Sequence, residues 1–206
     1  MSVIVHPFYE PSRGSYSYIV ANPESGCCAI IDPLLGIDES SGTTNTHAAD
    51  LLLDWVRAHD FVVRWVLETQ ADEASACAYL KSHLLCAQSA VGAGSPAAGA
   101  RDKALHDGDK LCLDHACGHV MALPTGAVGY QFCNAVFTGD ALLGSDRCTA
   151  LARLLELPEE TLLYVRRGIA PGPNPQPDSG VGCCHKFVTT VAQQRSLRMA
   201  SPSLSG

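Results

Sequence analysis

Apolar positions divide the first half of the chain into strands and helices. Residues 15–21 (SYSYIVA) and 27–31 (CCAII) are strand-like runs, and the turn-forming residues between them predict a hairpin. Residues 61–67 (FVVRWVL) have the composition of a buried strand, and residues 74–85 predict a helix. Between these strands, apolar residues recur at the spacing of another helix: Ala49, Leu52, Leu53 and Val56.

The second half of the chain begins with a group of predicted strands, after which helices and strands alternate. The predicted elements are, in order, strands at 110–113, 119–123, 128–132 and 135–138, a helix at 147–157, a strand at 161–165, a Pro- and Gly-rich loop over 168–185 and a last helix at 187–197. This order predicts a layered α/β protein with a mixed sheet, folded as one domain over residues 1–206.

Composition and charge narrow the function. Hydrophobic residues make up 47% of the chain and charged residues 17%, which is typical of an ordered globular protein. A net charge of −7 argues against a nucleic-acid partner, because such proteins carry a basic face. No apolar run approaches the ~18 residues of a membrane helix, and the first residues do not resemble a secretion signal. We therefore expect a cytoplasmic protein without a membrane partner, with a homodimer left open, whose ten cysteines are reduced thiols.

Four separated segments carry a family resemblance. They are GSYSYIVANPESGCCAIIDP (14–33), WVLET (65–69) with the following SACAYLK, DGDKL (107–111) and AVFTGDALL (135–143). Together and in this order they resemble the persulfide dioxygenase and glyoxalase II branch of the metallo-β-lactamase superfamily. The resemblance implies an α/β fold, a four-layer αββα sandwich, with a metal site at the edges of its sheets.

The metal ligands that the resemblance implies are mostly absent. In that family a His-x-His-x-Asp-His cluster follows the Glu-Thr pair, whereas Gln70 and Asp72 stand here at the first two histidine positions and the loop contains no histidine. The histidine of a Thr-Pro-Gly-His-Thr turn is missing, and Arg167 stands where the third histidine is expected. Asp140 alone matches a ligand position. A metal site for oxygen chemistry or hydrolysis needs about three or more ligands, so the sequence predicts a degenerate site.

Two hypotheses for function follow. In the first, the chain is a non-catalytic or weakly active relative of the persulfide dioxygenases of sulfur metabolism, with no cofactor and with a cleft for a glutathione-like thiol. Arg166 and Arg167 would then contact the anionic ligand, although a structural ion pair or simple exposure explains them as well. In the second, the chain is an active metal-dependent hydrolase or dioxygenase that holds iron or zinc with substitute ligands around Asp140. Asp72, Glu73 and Asp140 are also candidates for a hard cation such as Mg²⁺ or Ca²⁺.

A separate candidate metal site lies in the segment Asp-His-Ala-Cys-Gly-His. His115, Cys117 and His119 alternate, so on one strand they would share a face, and zinc accepts such ligands. Cys112 lies nearby, but on a single continuous strand it would point to the opposite face from these three residues. The competing interpretation is a turn that carries polar residues by chance, because structural zinc sites usually have paired C-x2-C spacing.

Overall fold

The computed structural model describes residues 2–38, 40–143, 146–167 and 188–200. The predicted loop 168–185 therefore lies outside the described residues. The strands are β1 Ile4–Glu10, β2 Ser15–Asn22, β3 Cys27–Ile31, β4 Gly36–Ile37, β5 Thr44–Asn45, β6 Val62–Glu68, β7 Gln88–Gly92, β8 Lys103–Leu105, β9 Lys110–Leu113, β10 Ala116–Ala122, β11 Val128–Phe132, β12 Ala135–Gly139, β13 Leu162–Val165 and β14 Val188–Thr190. The helices are α1 His47–Ala58, α2 Cys77–His83, α3 Arg147–Leu154 and α4 Val191–Ala200.

Two six-stranded mixed sheets form the centre of the molecule. The first has the order β1-β2-β3-β6-β7-β8, and the second has the order β14-β13-β12-β11-β10-β9. In the first sheet β3, β6, β7 and β8 run parallel, while β1 and β2 are antiparallel to their neighbours. In the second sheet the pair β12–β13 is parallel and the other pairs are antiparallel. Parallel neighbours end at the same edge, and this property later positions the candidate site.

Strand β2 shows how the layers form. Tyr18 and Val20 face the second sheet, whereas Ile19 and Ala21 face the layer that contains α1 and α2. Successive side chains of a strand point to opposite faces, so a strand segment buried on both sides carries consecutive apolar residues. The same run of apolar residues therefore contributes to two cores.

The helices cover the two outer faces of the sheet pair. Helix α1 buries the stripe that its spacing predicts: Ala49, Leu52, Leu53 and Val56. On the opposite side, Leu151 and Leu154 of α3 and Val191 of α4 pack with Val136 and Leu163 of the second sheet. The four-layer αββα sandwich is thereby confirmed. Each helix in the described ranges is too short or too polar to cross a lipid bilayer.

The structure differs from the predicted elements in the small or marginal strands. The sequence analysis did not identify β1, β7 or β8. Strand β7 consists of Gln-Ser-Ala-Val-Gly, which has weak strand propensity but is fixed between two parallel neighbours, so tertiary context overrides propensity. The predicted last helix begins instead with strand β14, which pairs with β13, and only then continues as α4.

Candidate functional site

Four strand ends converge at one edge of the sandwich. Asp32 follows β3, Gln70 and Asp72 follow β6, Asp140 follows β12 and Arg166 follows β13. The pairs β3–β6 and β12–β13 are each parallel, so their carboxyl ends meet at the same edge. Such edges are where α/β sheets usually bind ligands, which makes this group, here called the strand-end cluster, the candidate site.

Gln70 and Asp140 are in direct contact. The Gln70 amide nitrogen Nε2 donates a hydrogen bond to Oδ2 of Asp140 over 3.1 Å. This is the proximity that the matched order of the WVLET and FTGD segments predicts. The contact is an ordinary amide–carboxylate hydrogen bond, so the Asp140 oxygen is occupied by a donor from the chain itself.

The guanidinium of Arg166 occupies the middle of the strand-end cluster. Its side chain is only 4% exposed, and Nη2 forms an ion pair with Oδ2 of Asp72. Nη1 lies 3.9 Å from Oδ2 of Asp140. Burial by itself would lower the pKa of Arg166, but the carboxylates of Asp32, Asp72 and Asp140 outweigh burial and raise it. A permanent positive charge therefore lies among the carboxylates.

The Arg166 guanidinium favours ionisation of the Asp72 carboxyl. Burial raises the pKa of the Asp72 carboxyl, but the hydrogen bonds from Arg166 and from the Ala74 amide outweigh burial and hold the pKa below its ordinary value. The charged form of Asp72 is thus favoured in the folded protein.

Asp32 adds a third, fully buried carboxyl. It accepts hydrogen bonds from the Thr69 amide over 2.7 Å and from the Thr69 hydroxyl over 2.8 Å. Burial raises the pKa of Asp32 to about 6, although Arg166 and Thr69 both act in the opposite direction. The sequence analysis missed Asp32 and Thr69. Their signal was an acidic residue directly after a buried strand, in the Ile-Asp-Pro sequence.

Gly139 fixes the approach of the two strand ends. Its φ of 57° lies in the left-handed region, and an added Cβ would collide with the Thr69 hydroxyl. Glycine alone accepts both conditions without strain. The two residues of the Gly-Asp pair in the fourth segment thus have separate roles: Gly139 allows the close approach of the backbone, and Asp140 supplies the carboxylate.

Arg167 lies on the outer side of the strand-end cluster. Its side chain is 62% exposed, and Nε lies 3.2 Å from Oδ2 of Asp140. Two buried polar atoms of the strand-end cluster have no hydrogen-bond partner within the described residues, Oδ1 of Asp140 and Nε of Arg166. A cavity of about 10 Å³, lined in part by Asp32, Gln70 and Arg166, has room for about one water molecule.

The strand-end cluster does not fit a transition metal. Its donors are an amide and carboxylates, and every carboxylate oxygen of Asp32, Asp72 and Asp140 except Oδ1 of Asp140 already accepts from a group of the chain itself. Iron and zinc sites of this kind use imidazole, and within the described residues no three His, Cys, Asp or Glu side chains are placed to hold a metal ion. A fixed guanidinium also repels a cation. We therefore derive no metal-dependent step from these residues.

The structure corrects the alternative zinc site. Cys117 of β10 lies directly opposite Cys112 of β9 and is joined to it by a disulfide, so the two cysteines are cross-strand partners and not residues of opposite faces. His115 lies in the turn before β10, where its Nε2 is 3.3 Å from a carboxylate oxygen of Asp114. The disulfide also corrects the expectation that all thiols are reduced, since parity along one strand does not give the register between two strands.

Comparison with known proteins gives relatives but no matching family model. A probable metallo-hydrolase of Burkholderia pseudomallei is 33% identical over 237 residues, covering 92% of this chain and 78% of the relative. A beta-lactamase hydrolase-like protein of Agrobacterium fabrum is 30% identical over 243 residues, covering 98% of this chain and 52% of the relative. The chain spans about half the length of the first curated relatives it matches. Both alignments are longer than the 206-residue chain, so they contain positions that this chain lacks.

Solved structures show the same fold. ETHE1 from Myxococcus xanthus superimposes with a TM-score of 0.72 at 22% identity, covering 93% of this chain and 81% of that chain. A metallo-beta-lactamase from Staphylococcus aureus gives a TM-score of 0.70 at 16% identity, covering 98% of this chain and 65% of that chain. At these identities the likeness establishes the architecture alone.

Proposed function

We propose that this chain, which belongs to the metallo-β-lactamase superfamily, is a non-catalytic member that has replaced its metal centre with an internal ion-pair network. The observation that carries the proposal is the buried Arg166 guanidinium between Asp72 and Asp140. A metal ion neutralises the carboxylates at such a site and also polarises substrate or activates water. A guanidinium can do the first but has no open coordination position for the second.

The position of Arg166 supports this proposal on electrostatic grounds. A divalent ion that entered the cluster would have to displace a cation that already forms ion pairs with Asp72 and Asp140, and it would then lie close to a second cation, Arg167. Repulsion between two unit charges at ~4 Å is about 4 kcal/mol at an effective dielectric constant near 20, and the double charge of the ion increases it. The amide of Gln70 does not compensate, because it is a weaker ligand than imidazole.

Metal content and oxygen consumption test the proposal. The purified protein should carry well under one equivalent of iron and zinc, and it should consume no O₂ with glutathione persulfide when Fe²⁺ is added. Asp140→Ala should leave this background rate unchanged, because no metal-bound intermediate depends on it. A full equivalent of metal after dialysis, with uptake of O₂ that Asp140→Ala abolishes, would instead establish the alternative of an active enzyme with substitute ligands.

A glutathione-like thiol is the ligand we propose for the outer side of the strand-end cluster, in keeping with a role in sulfur metabolism. Arg167 is the residue that would meet its carboxylates, because Arg166 is enclosed and its charge is balanced within the chain. Titration calorimetry with glutathione should detect binding that weakens several-fold in Arg167→Ala. Arg57→Ala, an equally exposed arginine paired with Asp54 on α1, is the matched control. Equal affinity of both variants would exclude Arg167 as the contact.

A further inference from the structure

The hairpin of β9 and β10 carries a second group of reactive side chains, at the opposite edge of the sandwich. The amide of Asn22 at the end of β2 donates to the carbonyl oxygen of Leu113 over 3.1 Å. Strand β3 runs from this edge towards Asp32, so the hairpin tip and the strand-end cluster lie at opposite ends of β3. Whatever the hairpin does is therefore separate from the proposed loss of the metal centre.

Cys112 and Cys117 face solvent on this hairpin. They are directly opposite in the register and form a disulfide, and both residues are exposed. Buried structural disulfides are protected from exchange because a thiolate cannot reach their sulfur atoms, whereas exposed ones are open to attack. The exposure of this disulfide makes it accessible to small thiols.

The surroundings of the two sulfur atoms favour a thiolate. Lys110 and His119 are the next register pair along the same exposed face, since side chains alternate and both are exposed. His115 lies two residues before Cys117. Positive charge near a cysteine stabilises its thiolate, which is the reactive form. Lys110 supplies that charge here.

The hairpin is also held in place independently of its disulfide. Leu111, Leu113 and Ala116 alternate with the cysteines and are buried in the core between the sheets. The Trp65 indole nitrogen donates to the carbonyl oxygen of Cys112 over 3.2 Å. Opening of the disulfide should therefore leave the strands paired, which is the condition for a reversible reaction in the folded state.

We propose that Cys112 and Cys117 form a thiol–disulfide exchange site for low-molecular-weight thiols and disulfides. In the reduced protein, the Cys117 thiolate attacks one sulfur of a small disulfide RSSR, forms a mixed disulfide and releases one RS⁻. The Cys112 thiolate then attacks the Cys117 sulfur, closes the Cys112–Cys117 bond and releases a second RS⁻. The two protein thiols lose two electrons and two protons, and RSSR becomes two RSH. The reverse sequence, with two small thiols, reduces the site.

Cys117 is assigned as the attacking thiol because two imidazoles flank it, His119 on β10 and His115 in the preceding turn, whereas Cys112 is flanked by Lys110 and Asp114. The full chain is reduced, freed of reductant and mixed with glutathione disulfide as the probe. Acid quenching, alkylation and peptide mass spectrometry then follow each cysteine. The wild type should form the Cys112–Cys117 bond and release two glutathione molecules per chain.

Variants separate the two steps of the reaction. Cys112→Ser should accumulate one glutathione on Cys117, and Cys117→Ser should react several-fold more slowly. His119→Gln should slow the first step several-fold. Cys86→Ser, which removes an exposed thiol elsewhere, should behave as the wild type. Melting curves of the reduced and oxidised wild type check that the fold persists without the bond.

Three results would overturn the proposal. The first is a failure of the pair to form a bond in the folded protein. The second is a rate for Cys117 that equals that of Cys86 and of the urea-unfolded chain, which would indicate ordinary thiol chemistry. The third is one zinc ion per reduced chain, lost in Cys117→Ala and accompanied by no exchange, which would assign the cysteines as metal ligands instead.

Discussion

Replacing Arg166 with Met tests whether the guanidinium holds the strand ends together. Methionine keeps much of the length of the side chain but removes the charge and leaves Asp72 and Asp140 without their buried partner. Breaking a buried ion pair in this way costs about 3–5 kcal/mol. Because the Asp72 side chain is 23% exposed, water screens part of the loss. We expect a decrease of about 3 kcal/mol in the free energy of unfolding, the low end of that range.

Urea denaturation and thermal melting measure this loss. For a chain of this size, 3 kcal/mol corresponds to a decrease of roughly 6–12 °C in Tm. The matched control is Arg167→Met, because Arg167 contacts the same Asp140 oxygen from an exposed position and should cost at most about 1 kcal/mol. Equal losses for the two variants, or no loss for Arg166→Met, would refute the idea that Arg166 replaces the metal ion.

The pH dependence of the same two proteins gives a second check. In the wild type the pKa of Asp72 is held below its ordinary value, so its contribution to stability is present above the unfolded pKa and disappears as pH falls through the folded pKa. Asp32 acts in the opposite sense: its pKa is raised to about 6, so stability decreases as pH rises from about 4 to that value. Without Arg166, the charged carboxyls are uncompensated above pH 6. The difference between wild type and Arg166→Met should therefore shrink as pH is lowered from 8 to 5, and a constant difference would contradict the electrostatic explanation.

Further predictions concern three other features. Gly139→Ala should destabilise the protein by about 2 kcal/mol or more, from the strained φ and the collision with Thr69, whereas Gly99→Ala, which meets no atom, should change little in urea unfolding. Burial, and then His59, lowers the pKa of His6, so its contribution to stability should be lost as pH falls below about 6.5, and His6→Phe should flatten this part of the pH–stability curve. Millimolar Mg²⁺ or Ca²⁺ should raise the Tm of Arg166→Met but not of the wild type, because the variant alone presents unpaired carboxylates.

Most of the fold could be predicted because the spacing of apolar residues indicates both the type of each main element and the face that it buries. Strands β2 and β3 carry long runs of apolar and aromatic residues, and the structure buries every residue of both. The stripe on α1 predicts both its helical state and its buried face. Strands β7 and β8 could not be predicted in this way. They are short and consist mainly of small or polar residues. Their pairing with parallel neighbours is set by residues far away in the chain.

The candidate site could be located from the sequence but not interpreted. The segments WVLET and FTGD placed Gln70 and Asp140 at neighbouring strand ends, where the structure has them in contact. The burial of the Arg166 side chain within the strand-end cluster could not be predicted. Arg166 and Arg167 follow β13 next to each other, and nothing in the sequence decides which one is enclosed. That choice depends on the end of the parallel pair β12–β13 and on how Asp72 enters the cluster.

Under the proposed replacement of the metal centre, the sheet edge needs another source of positive charge. The strand-end cluster retains Asp32, Asp72 and Asp140, and three converging carboxyls without a positive charge would repel one another in a poorly hydrated position. Three remedies exist: replace the carboxyls, protonate them or supply another cation. The raised pKa of Asp32 is part of the second, and the buried guanidinium of Arg166 is the third. Guanidinium suits the role because it stays charged at every physiological pH and bonds to several oxygens at once. The ion pairs thus supply what the proposed replacement of the metal centre requires, a sandwich that is stable without metal-binding histidines, and they make Arg166 rather than Arg167 the residue on which its stability should depend.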